Sequence, residues 1–338
     1  MSFMRKVFYI SLFILFVSEN VKGQALQLSQ FYATPTFLNP AFAGSGVCAR
    51  LNMAYRDQWP SIPGAFKTSV IAFDHAIAKK NMGLGFLFVN DKAGSGGLTS
   101  TSFAGQYSYQ ITYRTWAANF GAEAGYVMRY YDYSKFLFGD QIAYGTATSV
   151  SHPVADHIHY FDFASGAVVF TKKTWIGFAA HNLNQPNQSF YGNDSKLPIL
   201  FSIHAGTKFA LNSEKGEFGY DHAKSFITPV INYRHENKFD QLDIGCYYTH
   251  LPLSFGIWYR GIPLLKAYQP GYPNNDALIF LVGLVIDRIK FAYSYDCTIS
   301  WLAGNTGGAH EITFTYQFCN PNKRKDIRSK PIMPCPKF

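Results

Sequence analysis

The sequence predicts a transmembrane antiparallel β-barrel of about 14 strands, because three patterns coincide along the chain. Apolar and polar residues alternate with period two over nearly its whole length. Aromatic residues crowd the apolar face, and short connections alternate with long ones. Helical periodicity is almost absent. Composition agrees, since 15% of the 338 residues are charged and 17% are Phe, Tyr or Trp. A disordered chain has few aromatics and many charges, so that class is excluded. A helical membrane protein requires apolar runs of about 20 residues. The longest run here, Val7 to Val17, is shorter and is interrupted by Ser11.

That run opens the chain. Arg5 and Lys6 precede it and the polar stretch Ser18–Gly23 follows, so residues 1–23 read as a secretory signal peptide. An N-terminal anchor competes, but the run is short for one. With no Cys just after the run, a lipoprotein is disfavoured. Residues 24–48 are expected to be a periplasmic segment, with Asn39, Pro40, Gly44 and Gly46 forming a plug or a turn at the barrel mouth. The barrel then occupies 49–318, and 319–338 form a basic periplasmic tail.

In chain order, strands are expected near 49–57, 66–78, 81–90, 98–113, 115–131, 158–171, 174–182, 197–211, 226–235, 239–249, 252–260, 277–286, 288–297 and 309–318. The last is the clearest, with Ile312, Phe314, Tyr316 and Phe318 on one face and Thr313, Thr315 and Gln317 on the other. It also ends on an aromatic residue, as barrel-assembly signals usually do. Tight joins fall at Lys79-Lys80, near Arg114, at Lys172-Lys173 and at Asp287. Longer ones fall at 58–65, 91–97, 132–157, 183–196, 261–276 and 298–308. Outer-membrane barrels pair short periplasmic turns with long extracellular loops in this way. The region 212–250 breaks the alternation.

The polar face carries Arg50, Arg56, Asp74, Glu123, Arg129, Lys208, Arg234, Asp243, Lys290 and Asp296. In a soluble β-sandwich this face would meet water. In a barrel it lines the lumen, where charges must pair because isolated ions there are costly. Arg56, Asp74 and Asp296 share that face by register and are expected to form a luminal charge network. Trp59, just beyond the first strand, is expected at the extracellular rim as an interface anchor.

The formal charge of +9 separates into short segments. The signal peptide contributes +2 and the tail +5, which leaves +2 for the body. The basic balance is therefore no nucleic-acid footprint. The spacing of Cys48, Cys246, Cys297, Cys319 and Cys335 matches no zinc or redox motif. Two alternatives stand for the tail: a Cys319–Cys335 disulfide, or free thiols. Cys246 and Cys297 read as small apolar residues on strand faces.

No catalytic constellation emerges, and neither a cofactor nor a metal site is expected. His152, His157 and His159 lie in or beside the longest expected loop without a carboxylate shell, so they read as solvated loop residues. Gly94 to Gly97 joins two strands with no following helix, which makes it a loop tip, not a phosphate cradle.

Three segments together are familiar. Gln30-Phe-Tyr-Ala-Thr-Pro-Thr-Phe-Leu-Asn-Pro-Ala-Phe-Ala-Gly44 resembles the opening of the PorP/SprF family of type IX secretion system membrane proteins. Tyr55-Arg-Asp-Gln-Trp-Pro60, then Phe66-Lys-Thr68 and Asp74, resembles the family's second motif. Tyr293-Ser-Tyr-Asp296, Ser300 and Gly308-Ala-His-Glu311 resemble its C-terminal one, with His310 and Glu311 as motif residues. Thr34 and Asp57 depart from the usual Asn, and the Cys-containing tail has no counterpart in the pattern.

The resemblance implies an outer-membrane barrel of the Bacteroidota with no cofactor and no enzymatic activity. Its implied partners are outer-membrane lipid and a large secreted adhesin carrying a type B C-terminal domain, with gliding among the functions such adhesins serve. A periplasmic type IX component or a peptidoglycan-binding protein is a further expected partner. On that reading the network of Arg56, Asp74 and Asp296 either braces the barrel or touches cargo, and Trp59 is a rim anchor or a cargo contact. The alternative function is a passive channel or solute transporter, since about fourteen strands can enclose a lumen.

Overall fold

A computed structural model describes residues 26–319, apart from 47, 78–79, 134–135, 148, 150–154, 212–224, 263–266, 270–271 and 302. The expected signal peptide, the tail beyond Cys319, Cys335 and His152 lie outside the described residues. No described helix is long and apolar enough to cross a membrane.

Fourteen strands form the wall. They are β1 (Ala49–Gln58), β2 (Phe66–Ile77), β3 (Met82–Ala93), β4 (Leu98–Tyr113), β5 (Trp116–Tyr130), β6 (His157–Phe170) and β7 (Thr174–His181). Next come β8 (Leu200–Thr207), β9 (Ser225–Glu236), β10 (Phe239–His250), β11 (Leu253–Gly261), β12 (Asn275–Ile286), β13 (Ile289–Thr298) and β14 (Ala309–Phe318). Phe209–Ala210 prolongs β8 along β9. Each strand pairs antiparallel with its neighbours in sequence, and β1 pairs with β14 from Ala49↔Phe318 to Gln58↔Ala309, which closes the cylinder. Every backbone polar group of a spanning segment needs a partner within the protein, and closure supplies it.

Alternation sorts side chains as the sequence reading expected. Phe86, Phe120, Phe163, Phe255, Phe280 and Phe291 project outward and are exposed, while their sequence neighbours turn inward. A water-soluble sandwich would bury these rings, and an apolar surface of this extent belongs against lipid.

One end of the barrel, the turn end, carries the tight connections at 78–81, 114–115, 171–173, 251–252 and 287–288. The opposite loop end carries 59–65, 131–156, 182–199, 262–274 and 299–308. Arg114 and Asp287 take positive φ, the backbone form that matches two-residue turns to strand twist. The join expected at 91–97 shortens to 94–97, because Asp91 keeps the inward alternation and accepts a hydrogen bond from Thr68 at 2.7 Å. The irregularity expected in 212–250 is a tight join at the loop end, Asn237-Lys238, opposite a long one at the turn end.

The cysteine expectation is corrected. Cys319 bonds to Cys48, not Cys335, with the Cα atoms 5.1 Å apart. The two residues sit one step beyond the Ala49↔Phe318 pair, so barrel closure itself makes them neighbours. Cys246 and Cys297 are free and half-buried on strands.

Candidate functional site

Inside the wall runs the chain from Leu26 to Gly46. It descends from the loop-end half of the lumen to the turn end, where β1 begins. The segment is built to be held. Pro35–Leu38 forms one helical turn and Pro40–Phe42 a 3-10 turn, and the Asn39 side chain caps the second by accepting from the Ala41 N–H at 2.9 Å. Proline at the start of each turn fixes φ where no N–H partner is needed. The Asn39 amide also donates to the Phe178 carbonyl at 3.0 Å, locking the turn to β7.

Two wall glycines admit this turn. A Cβ at Gly121 would lie 2.2 Å from the Ala41 nitrogen, and one at Gly166 would lie 2.0 Å from the Asn39 side-chain oxygen. The lumen is also more apolar than its alternation predicted. Phe31 meets Trp258 edge-on at 5.0 Å, Tyr32 meets Trp175 at 5.6 Å, and Phe42 stacks on His204 at 5.3 Å. Leu28 packs with Val70, Leu87 and Val89. These inward aromatics went unread because the segment they pack against has no periodicity.

A buried ion network grips the upper part. The Glu311 carboxylate accepts the Ser29 N–H at 2.7 Å and the Gln30 N–H at 2.9 Å. Arg56 binds Asp296 at 2.9 Å and Glu311 at 3.2 Å. Arg260 binds the same Asp296 oxygen at 2.9 Å and Asp243 at 2.7 Å. Both guanidinium groups also donate to the Ser29 hydroxyl, at 2.7 and 3.0 Å, while that hydroxyl donates to Asp296 at 2.6 Å. One donor and two accepted bonds use all that a hydroxyl offers. Gln30 is held likewise, donating to Ser294 at 3.1 Å and accepting from Thr313 at 2.7 Å. No charged side chain of the four pairs exceeds 4% exposure, so each depends on its partners for solvation.

Asp74 does not join this network. It sits lower, where Arg50 clasps it at 3.0 and 2.9 Å and the Gly44 N–H donates to it at 2.9 Å. Gly44 has φ of +64°, and a Cβ there would meet the Gly83 Cα at 2.6 Å, so only glycine fits. The structure therefore brings Arg56, Asp296 and Glu311 together, adds Arg260, Asp243 and Ser29, and gives Asp74 a separate clamp on the plug's exit. Arg260 and Ser29 were missed. The signal for Arg260 was its place on the inward face of an alternating segment, two residues from Trp258.

Of the remaining motif residues, His310 and Trp59 lie near the loop-end rim and Pro40 lies in the plug. His310 faces outward, beside Glu311 in sequence but across the wall from it, with its Nδ1 2.7 Å from the Tyr293 hydroxyl. Trp59 takes φ of +61° after β1, donates its N–H to Gly308 at 2.8 Å and meets Phe66 edge-on at 5.6 Å. Pro40 opens the 3-10 turn. His159 stacks on Tyr126, and His157 meets His159 edge-on. Among the described residues, no group of three or more His, Cys, Asp or Glu is arranged to hold a metal.

Above the plug, toward the loop end, a cavity of about 480 Å³ remains, floored by Leu26, Leu28 and Phe37 and walled by the strands from β3 to β9. The lumen is thus filled below and hollow above.

Solved structures similar to this chain include Omp33, an outer-membrane protein of Acinetobacter baumannii, at 6% identity and a TM-score of 0.45, covering 81% of this chain and 100% of that one. A deletion mutant of the TodX monoaromatic hydrocarbon channel matches at 10% identity and 0.43, covering 86% and 93%. The KdgM porin matches at 7% and 0.37, covering 80% and 99%. No curated protein matches the chain. The family model for the type IX secretion system membrane protein PorP/SprF matches residues 20–316. With that match over nearly the whole barrel and its plug, this outer-membrane chain belongs to the PorP/SprF family of type IX secretion system membrane proteins.

Proposed function

We propose that the protein is a non-enzymatic holder: it retains or helps export a large cell-surface adhesin by binding its type B C-terminal domain. One observation carries the reading. The lumen is occupied by the chain's own residues 26–46, pinned by a buried ion network and two turns, which suits a rigid docking body better than a conduit for solutes. The loop end, with its longer connections and its cavity, is the face that would meet cargo. The turn end, with the β1–β14 seam, faces the periplasm on this reading, where a periplasmic type IX component or a peptidoglycan-binding protein would contact it.

Affinity capture of the tagged barrel from detergent-solubilised outer membranes, read by mass spectrometry, tests the proposal. One large surface protein is expected, and its recovery is lost when its C-terminal domain is deleted. Planar-bilayer conductance provides the counter-test. A steady, solute-selective pore without any protein partner returns the protein to the class of passive channels.

A further inference from the structure

The cavity above the plug has a chemistry of its own. Five buried polar atoms on its walls have no hydrogen-bond partner: Arg129 Nε, Asp162 Oδ1, Ser202 Oγ, Asn232 Oδ1 and Arg234 Nε. Ser202 and Asn232 are each 2% exposed, so they point into the lumen rather than into bulk water. Two of the five atoms donate, two accept, and the hydroxyl does either. An inorganic anion would use only the donors, and a cation only the acceptors. Main-chain amides present both at once.

The same wall already reads main chain where the plug lies against it. Gln106 donates to the Thr36 carbonyl at 2.8 Å, Ser108 to the Ala43 carbonyl at 2.6 Å, and Asn119 to the Ala41 carbonyl at 3.1 Å. The cavity continues this arrangement beyond the plug, from β4 and β5 round to β9. Its floor offers apolar contact, and its volume falls in the range of about 300–1,000 Å³ that binds compact ligands. Its ionisable side chains are unbalanced, with the carboxyl groups of Asp91, Glu123, Asp162 and Glu236 against Arg129, Arg234 and the imidazole of His181.

We propose that this cavity is a binding site for a short, extended, basic peptide segment entering from the loop end. Its amide groups pair with the five unpartnered atoms, its apolar side chains rest on Leu26, Leu28 and Phe37, and a lysine or arginine meets the acidic excess at Asp162. The inference deepens the cargo-holding reading and rests on it only for the identity of the peptide's bearer.

The test uses the purified full-length barrel in detergent and a fluorescein-labelled, end-blocked pentapeptide alternating leucine with lysine, titrated by anisotropy. The control alternates leucine with glutamate. Saturable binding of the lysine peptide is expected, at least tenfold tighter than the control. Asp162→Asn should weaken it about tenfold, and Ser202→Trp, which fills the cavity, should abolish it. Retained heat-modifiable mobility on a gel verifies the fold of each variant, and Asp162→Asn decides alone if Ser202→Trp misfolds. Charge-indifferent binding, absent binding, or binding unchanged in the folded variants overturns the site. A benzophenone side chain at Leu200 should cross-link to the added peptide, and cross-linking to the barrel's own residues before Leu26 instead would overturn it as well. Adhesin capture without peptide binding removes this site and leaves the cargo reading. Peptide binding without adhesin capture does the reverse.

Discussion

Two clamps hold the plug, and they are built differently. The upper one, around Ser29 and Gln30, joins two arginines to three carboxylates from β1, β10, β11, β13 and β14. The lower one, around Gly44, is a single Arg50–Asp74 pair between adjacent strands, with Arg50 at 14% side-chain exposure. In the upper clamp no member can leave without stranding a buried charge. In the lower clamp Asp74 is equally buried, but Arg50 keeps partial access to water, so the loss of Asp74 is offset in part. The contrast teaches that the wall and the plug are co-dependent above and merely tethered below, so damage at the two levels should differ in size and in kind.

The largest effect is expected from Asp296→Ala, which leaves both Arg56 and Arg260 short of a partner and should cost about 3–5 kcal/mol. Urea denaturation and the heat-modifiable shift on a gel measure it, and unchanged melting would mean that the network does not brace the barrel. Gly121→Leu comes next. The added side chain overlaps the main chain at Ala41, and overpacking of about 1–3 kcal/mol should push the 39–43 turn off the wall. Bilayer conductance should rise from a blocked to a leaky state, and a silent variant would show that the turn is not what seals the lumen. Asp74→Asn should cost about 1–3 kcal/mol, since it weakens a charge-assisted bond to a main-chain N–H. A loss equal to that of Asp296→Ala would erase the distinction between the clamps. The smallest change is expected from Trp59→Ala, about 1 kcal/mol for the loss of its edge-on contact with Phe66, with the plug undisturbed by limited proteolysis.

The wall was legible in the sequence because period-two alternation states directly which side each residue faces. Ile312 to Phe318 could be assigned to lipid or lumen from spacing alone. The network was half legible. Register placed Arg56 and Asp296 on the inner face, yet their meeting with Arg260, itself paired with Asp243 across adjacent strands, reaches over β12 and the β1–β14 seam. Asp74 shared that face but lies lower along β2, a displacement that face assignment does not encode. The plug was expected only as a plug or turn at the mouth, because residues 26–46 pair with no neighbour in sequence and their contacts come from all around the wall. Cys48 and Cys319, 271 residues apart, looked unrelated until β1 met β14.

That disulfide has a topological consequence. The polypeptide between Cys48 and Cys319 circles the barrel axis once, and the bond makes that circuit a covalent ring. The segment from Leu26 to Gly46 is threaded through it, as the tail of a lasso runs through its loop. A hydrogen-bonded seam alone could part and let the threaded segment out sideways. With the seam sealed at the turn end, β1 and β14 stay tethered where the segment enters the wall, and the cylinder cannot open along its whole length there.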